Sequence, residues 1–103
     1  MTFKALNTLL KTTGFKVSYD KAPPETKSPY IVYYQTGIST IDADDKHYIK
    51  NKIVSVYLYT NGKDEASENT LEQVFENAEI MYDYSDNGII EKNIREIEYE
   101  IEI

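Results

Sequence analysis

The segment KHYIKNKIVSVYLYT, residues 46–60, decides the fold that the sequence predicts. It is the longest stretch of the chain with the two-residue alternation that is typical of a β-strand. Branched and aromatic residues mark both of its sides: Val54, Val56 and Leu58 on one, Ile53, Ser55, Tyr57 and Tyr59 on the other. Because both sides are largely apolar, we expect this strand to lie inside a sheet and not at its edge.

The patterns on either side of this segment supply partners for it and helices to cover it. The predicted elements are a helix at 2–13, strands at 15–19, 30–36 and 46–60, a helix at 64–78, and strands at 80–85 and 90–103. Asp86-Asn87-Gly88 is typical of a tight turn, which predicts a hairpin of the last two strands. The order α-β-β-β-α-β-β predicts an α+β fold, with an antiparallel or mixed sheet of about five strands and two helices packed on one face. The 103 residues form a single domain, 1–103.

Composition and charge exclude several classes of function. The 11 basic and 18 acidic residues give a formal charge of −7, which argues against binding to nucleic acid or to an anionic membrane. Without cysteine there are no disulfides, thiolate metal sites or cysteine nucleophiles. The N-terminal residues do not read as a signal peptide, and no run approaches the ~20 apolar residues of a membrane span. We therefore expect a soluble protein made in the cytoplasm.

Two loops are candidate contact segments. Residues 20–29 contain all three prolines, so we expect an exposed extended loop, either a plain connector or an arm in which Pro23 and Pro24 contact another subunit. Residues 37–45 are predicted to form the turn that leads to the segment 46–60. Two isoleucines lie in this otherwise polar turn, Ile38 and Ile41, and we expect them to be buried either by their own domain or by a neighbour.

The same turn holds the one local cluster that suggests a metal site. Three carboxylates and the single histidine fall within six residues: Asp42, Asp44, Asp45 and His47. The glycine and the final glutamate of a calcium-binding EF-hand loop are missing at the required offsets. Aspartate also favours turns by accepting hydrogen bonds from nearby backbone N–H groups. We therefore expect a structural turn here, with no metal and no cofactor.

The last strand alternates strictly between apolar and acidic residues. Ile97, Tyr99, Ile101 and Ile103 face one way, and Glu96, Glu98, Glu100 and Glu102 face the other. Like-facing residues of a strand lie ~7 Å apart, so the row of carboxylates follows from the alternation alone and does not require acid–base catalysis. With both helices on one side, the other side of the sheet stays partly apolar and partly acidic. Self-association would cover it.

Several segments together resemble a known group of small phage proteins. SPYIVYY at 28–34, DADDKHYIKNKIVSVYLYTNGKD at 42–64, the short helix, the YDY strand and the closing EYEIEI strand are similar to tail-completion, or tail-terminator, proteins of siphophages and prophages of Gram-positive bacteria. The resemblance spans nearly the whole chain. It consists of strand and turn residues with no catalytic signature.

This resemblance implies a structural virion protein and not an enzyme. Its expected partners are further copies of itself in a ring, expected to be a hexamer formed in solution or only on assembly, together with tail-tube and head-completion proteins at the head–tail junction. Within such a ring, we expect residues 37–45 to contact a neighbouring subunit or the tail tube. Glu96, Glu98, Glu100 and Glu102 could line the conduit for DNA, where they would repel phosphate.

A second class of function stays open on the same sequence. A charge of −7 is compatible with a small acidic phage-encoded inhibitor, a DNA mimic that occupies a basic groove of a host protein. A mimic needs carboxylates spaced like phosphates over a broad surface, and the clearest array here is one face of one strand. Capsid and tail genes beside the coding gene would favour the first class, and lysogeny or defence genes the second.

Overall fold

A computed structural model describes the backbone of residues 1–43 and 47–103 and the side chains of residues 1–40 and 50–103. Two helices and five strands follow one another in the predicted order, which confirms the α+β class. Neither helix in these ranges is long and apolar enough to cross a membrane. The elements are α1 (Phe3–Lys11), β1 (Lys16–Tyr19), β2 (Tyr30–Ala43), β3 (His47–Asn61), α2 (Glu65–Asn77), β4 (Tyr82–Glu91) and β5 (Ile94–Glu102).

The five strands form one mixed sheet in the order β1-β2-β3-β5-β4. β1 runs parallel to β2, and all other neighbours are antiparallel. β3 is the central strand, as its two apolar sides predicted. Its register aligns Val56 with Tyr33 of β2 and with Tyr99 of β5, so these side chains share one face.

Both helices pack on that same face and close the hydrophobic core. Leu6 and Leu10 of α1 and Leu71 and Phe75 of α2 have no exposed surface, because the alternating apolar residues of the sheet cover them. Each helix begins at a residue that caps it: Thr2 Oγ1 accepts from Ala5 N at 3.1 Å, and Asp64 Oδ1 accepts from Ser67 N at 3.1 Å. The sheet residues of the core are Ile31, Tyr33, Val54, Val56, Leu58, Ile97, Tyr99 and Ile101.

The turn predicted for residues 37–45 is wrong in its extent. β2 continues through Gly37 to Ala43 and pairs with β3 along this whole length. A β-bulge at Thr36, between Gln35 and Gly37, shifts the register. Glycine is common both in turns and beside bulges, so the sequence alone did not distinguish them. Beyond the ends of the other strands, residues 38–43 and 47–51 therefore form a two-stranded ribbon.

The tight turn predicted at residues 86–88 is also wrong. β4 passes through this segment and ends at Glu91, and the chain reverses at Lys92-Asn93. Gly88 has φ +79°, and its N–H donates to Asp86 Oδ1 at 2.9 Å, which makes the segment a bulge in a continuing strand. Arg95 of β5 stabilises this bulge, since its Nε donates to the same carboxylate at 3.0 Å.

Candidate functional site

The face of the sheet opposite the helices carries a tyrosine–glutamate face. It consists of two columns of tyrosines, on β2 and β3, beside one column of glutamates on β5. The strand register places these columns in contact, since Tyr59 is aligned with Tyr30 on one side and with Glu96 on the other. The face is defined by Tyr30, Tyr34, Tyr57, Tyr59, Glu96, Glu98, Glu100 and Glu102.

The tyrosine rings of this face stack on one another. The centroids of Tyr30 and Tyr59 lie 4.9 Å apart with an interplanar angle of 21°, and those of Tyr34 and Tyr57 lie 5.6 Å apart at 26°. Tyr57 and Tyr59 join the two pairs at 6.3 Å. All four rings are partly exposed, whereas Ser55, which is aligned with Tyr34, is buried. The result is a platform of aromatic surface held in one orientation before any partner arrives.

Hydrogen bonds fix the first two carboxylates of the glutamate column. Tyr59 Oη donates to Glu96 Oε1 at 2.9 Å, and Ser55 Oγ donates to Glu98 Oε2 at 3.0 Å. The Asn87 amide of β4 donates to both carboxylates, at 2.7 Å to Glu96 and 3.3 Å to Glu98. Each of these donors is neutral, so the bonds orient the carboxylates without neutralising them.

The same arrangement keeps the phenol groups protonated. Partial burial and the Tyr34 hydroxyl together raise the pKa of Tyr57 to about 12. Burial, followed by the hydrogen bond to Glu96, likewise raises the pKa of Tyr59 above its ordinary value. Burial and the charges of Glu91 and Glu96 raise the pKa of Tyr30. At neutral pH the face therefore presents hydroxyl donors beside fixed negative charges, an arrangement suited to cationic and hydrogen-bonding partners.

A second cluster of polar groups lies on the helix side, where α2 meets β4. Lys63 Nζ lies 3.1 Å from Glu68 Oε1 and 2.9 Å from Oε2, and it also donates to Tyr84 Oη at 2.9 Å. Tyr84 Oη in turn donates to Glu68 Oε1 at 2.8 Å. These residues border a concavity of about 360 Å³. Only 6% of the Glu68 side chain is exposed, so the ammonium serves to compensate a buried charge.

The neighbouring carboxylate ties α2 to the sheet. The hydroxyl of Tyr99, a fully buried residue of β5, donates to Glu72 Oε2 at 2.6 Å, and Tyr82 Oη donates to Glu76 Oε2 at 3.1 Å. Burial and then the charge of Glu72 raise the pKa of Tyr82 to about 12. Within the described ranges, no group of three or more His, Cys, Asp or Glu side chains is placed to hold a metal ion. We interpret the cluster as structural support for α2.

The residues predicted from the sequence as contact sites fall in separate places. Pro23 and Pro24 are exposed in the loop between β1 and β2. Ile38 is 59% exposed on the ribbon, whereas the side chain of Ile41 lies outside the described residues. The cluster of Asp42, Asp44, Asp45 and His47 also lies outside the described side chains.

The glutamate column matches its predicted alternation. Glu100 and Glu102 are exposed, and Glu96 and Glu98 are partly exposed on the open face. No local pattern in the sequence pairs these carboxylates with the tyrosines of β2 and β3. Tyrosine at like-facing positions, Tyr30 with Tyr34 and Tyr57 with Tyr59, was the available signal, but only the strand order brings the columns together.

The geometry defines the chain as an α+β domain with one face closed by helices and one aromatic, acidic face open. Neither protein-family models nor characterised proteins match this chain.

Proposed function

We propose that this protein is a structural assembly protein of a phage particle, a tail-completion protein that ends the tail tube and joins it to the head as a ring of copies. The observation that carries this proposal is the tyrosine–glutamate face, a broad, pre-ordered and partly apolar surface with no cover from its own chain among the described residues. Tyrosine is enriched in protein–protein interfaces because its ring supplies apolar area and its hydroxyl supplies a hydrogen bond.

The ribbon supports the same proposal. A two-stranded β-ribbon extends past the core of the sheet, and Ile38 on it is 59% exposed. Such a segment adds little to the core of its own domain, whereas it can reach a neighbouring subunit or the tail tube. The resemblance of segments 28–34 and 42–64 to tail-completion proteins agrees with this role.

The first experiment measures the mass of the purified protein by light scattering, alone and with the tail-tube protein of the same phage. A six-fold species alone, or one that appears only with tubes and caps their ends in electron micrographs, would support the proposal. A monomer that ignores tubes would overturn it and favour the acidic-inhibitor class, for which a basic host protein would be sought.

A pair of variants tests the ribbon directly. Ile38→Ser, alone and with Ile41→Ser, should weaken ring or tube binding and leave the unfolding midpoint of the monomer unchanged, because Ile38 is already exposed in the monomer. Thr40→Ser, also an exposed residue of the ribbon, is the matched control. A collapse of monomer stability would assign these isoleucines to the core instead.

A further inference from the structure

Charge is distributed unevenly from one edge of the sheet to the other. The first 29 residues, which form α1, β1 and the proline loop, hold five lysines and two carboxylates. Residues 62–103, which form α2, β4 and β5, hold three basic and thirteen acidic residues. Because β1 and β4 are the two edges of the sheet, the molecule is positive at one edge and strongly negative towards the other.

The positive edge has a defined shape. Lys16 of β1 and Lys27 of the loop line one concavity of about 590 Å³ together with Pro23 and Pro24, and its lining also includes one carboxylate, Glu25. Both lysines are exposed, and no carboxylate of the described residues lies within 4.0 Å of either ammonium. We call Lys16, Lys27, Pro23 and Pro24 the proline edge.

The tyrosine–glutamate face has the complementary character. Among the described residues, no lysine or arginine lies within 4.0 Å of its glutamates, although other carboxylates of the chain are paired with Lys63 or Arg95. Stacked tyrosine rings border these charges and add aromatic surface and hydroxyls beside them. An ammonium group is attracted both by a carboxylate and by the face of an aromatic ring.

One copy of the chain cannot bring these two surfaces together. Lys16 lies on the same side of the sheet as Tyr30, with which it is aligned, but β2 and β3 separate β1 from β5. Three strand spacings of about 4.8 Å put roughly 14 Å between β1 and the glutamate column. A lysine side chain does not span this distance, so the partner of each surface must come from another molecule.

We propose that the proline edge of one copy docks on the tyrosine–glutamate face of the next copy. The two surfaces differ and lie on one molecule, so the contact is head-to-tail, and repetition of such a contact gives a closed ring or an open filament. This inference rests on the proposed self-assembly and names the surfaces that would build it. It replaces the conduit wall expected for Glu96, Glu98, Glu100 and Glu102 with a subunit contact.

The test uses charge reversal at each surface separately. Variant A carries Lys16→Glu and Lys27→Glu, and variant B carries Glu100→Lys and Glu102→Lys. All four side chains are exposed, and none of them makes a side-chain hydrogen bond among the described residues. The matched controls reverse two exposed charges elsewhere: Lys4→Glu with Lys11→Glu, and Glu65→Lys with Glu79→Lys. Circular dichroism first confirms that each variant is folded.

Sedimentation velocity then reports self-association at low and high salt. We expect A and B each to associate at least about tenfold more weakly than the wild type, because like charges then meet at the contact. Mixing A with B should restore association, since the proline edge of A, now acidic, meets the tyrosine–glutamate face of B, now basic. Raising the ionic strength from about 0.05 M to about 0.5 M should weaken the wild-type contact.

Several outcomes would overturn the inference. The wild type could stay monomeric at millimolar concentration in low salt, or the reversal variants could associate like the wild type. Equally, the controls could weaken association as much as A and B do, or the mixture of A and B could stay dissociated. The tail-completion proposal fails separately: charge-dependent association without any tube binding leaves the contact standing. Tube capping that is unaffected in A and B removes the contact and leaves the function.

Discussion

Removing the ammonium of Lys63 should expose the cost of the buried Glu68 carboxylate. Glu68 Oε2 receives no hydrogen bond among the described residues and has the ammonium 2.9 Å away as its compensation. A hydrogen bond to a charged group contributes about 1.5–3 kcal/mol, and a buried ion pair that loses one partner costs more. Because the Lys63 side chain is 42% exposed, water can replace part of the ammonium, so we expect Lys63→Met to cost about 1.5–2 kcal/mol.

A double-mutant cycle tests the reason for this loss as well as its size. Glu68→Gln keeps an acceptor for Tyr84 and removes the charge, so it should cost about 0.5–1 kcal/mol. The double variant should be no less stable than Lys63→Met alone, which corresponds to a coupling energy of at least about 0.5–1 kcal/mol. Urea unfolding is followed by circular dichroism at low protein concentration, where self-association does not contribute. A Lys63→Met cost below about 0.5 kcal/mol, or simple additivity in the cycle, would refute the reasoning.

Two further predictions concern the bulge of β4 and the tyrosines. Gly88→Ala should lower the free energy of unfolding by about 1 kcal/mol, because φ is +79° at this position. Steric contact does not contribute, since no heavy atom lies within 4 Å of an added Cβ. Urea unfolding measures the loss, and no measurable loss would mean that the backbone relaxes. Tyrosines such as Tyr57 and Tyr82, whose folded pKa is raised to about 12, contribute stability that is fully present below pH ~10 and is lost as pH rises towards 12. Each should steepen the loss by less than the ~1.4 kcal/mol per pH unit of a fully buried group, because both phenols are partly exposed and water screens the interactions that shift their pKa. Tyr57→Phe should reduce the slope, and an unchanged slope would contradict the shift.

The alternation of side chains was enough to predict the interior of the sheet. Val54, Val56 and Leu58 are buried as predicted, and the isoleucines of β5 alternate with exposed or partly exposed glutamates. The two-residue alternation of buried and exposed side chains holds in these strands because each strand buries one face against the same helices. The strand order, which no local pattern encodes, was not predicted, and with it the contact between the tyrosine and glutamate columns.

The two errors share one physical cause. Gly37 and Gly88 each lie beside a bulge in a strand that continues, and glycine is common in turns as well as in bulges. Glycine permits either structure, and the choice depends on whether a partner strand is present to pair with the residues beyond it. β3 supplies that partner for residues 37–43, and β5 supplies it for residues 88–91.

The bulge at Thr36 also decides whether the ribbon and the tyrosine–glutamate face form one contact surface or two. Ile38 is aligned with Lys52, whose ammonium lies 5.0 Å from the ring centroid of Phe3 in α1, so Ile38 is on the helix side of the sheet. Without the extra residue, the alternation from Tyr34 would put Ile38 on the open face.

Independent surfaces should contribute independently to assembly. We therefore expect the losses caused by Ile38→Ser and by Glu100→Lys with Glu102→Lys to add, as logarithms of the dissociation constant, when the substitutions are combined. Sedimentation velocity on the three variants measures this, with Thr40→Ser in place of Ile38→Ser as the control. A combined variant that associates no more weakly than its weaker parent would show that both surfaces belong to a single contact, because a contact already broken cannot be broken again.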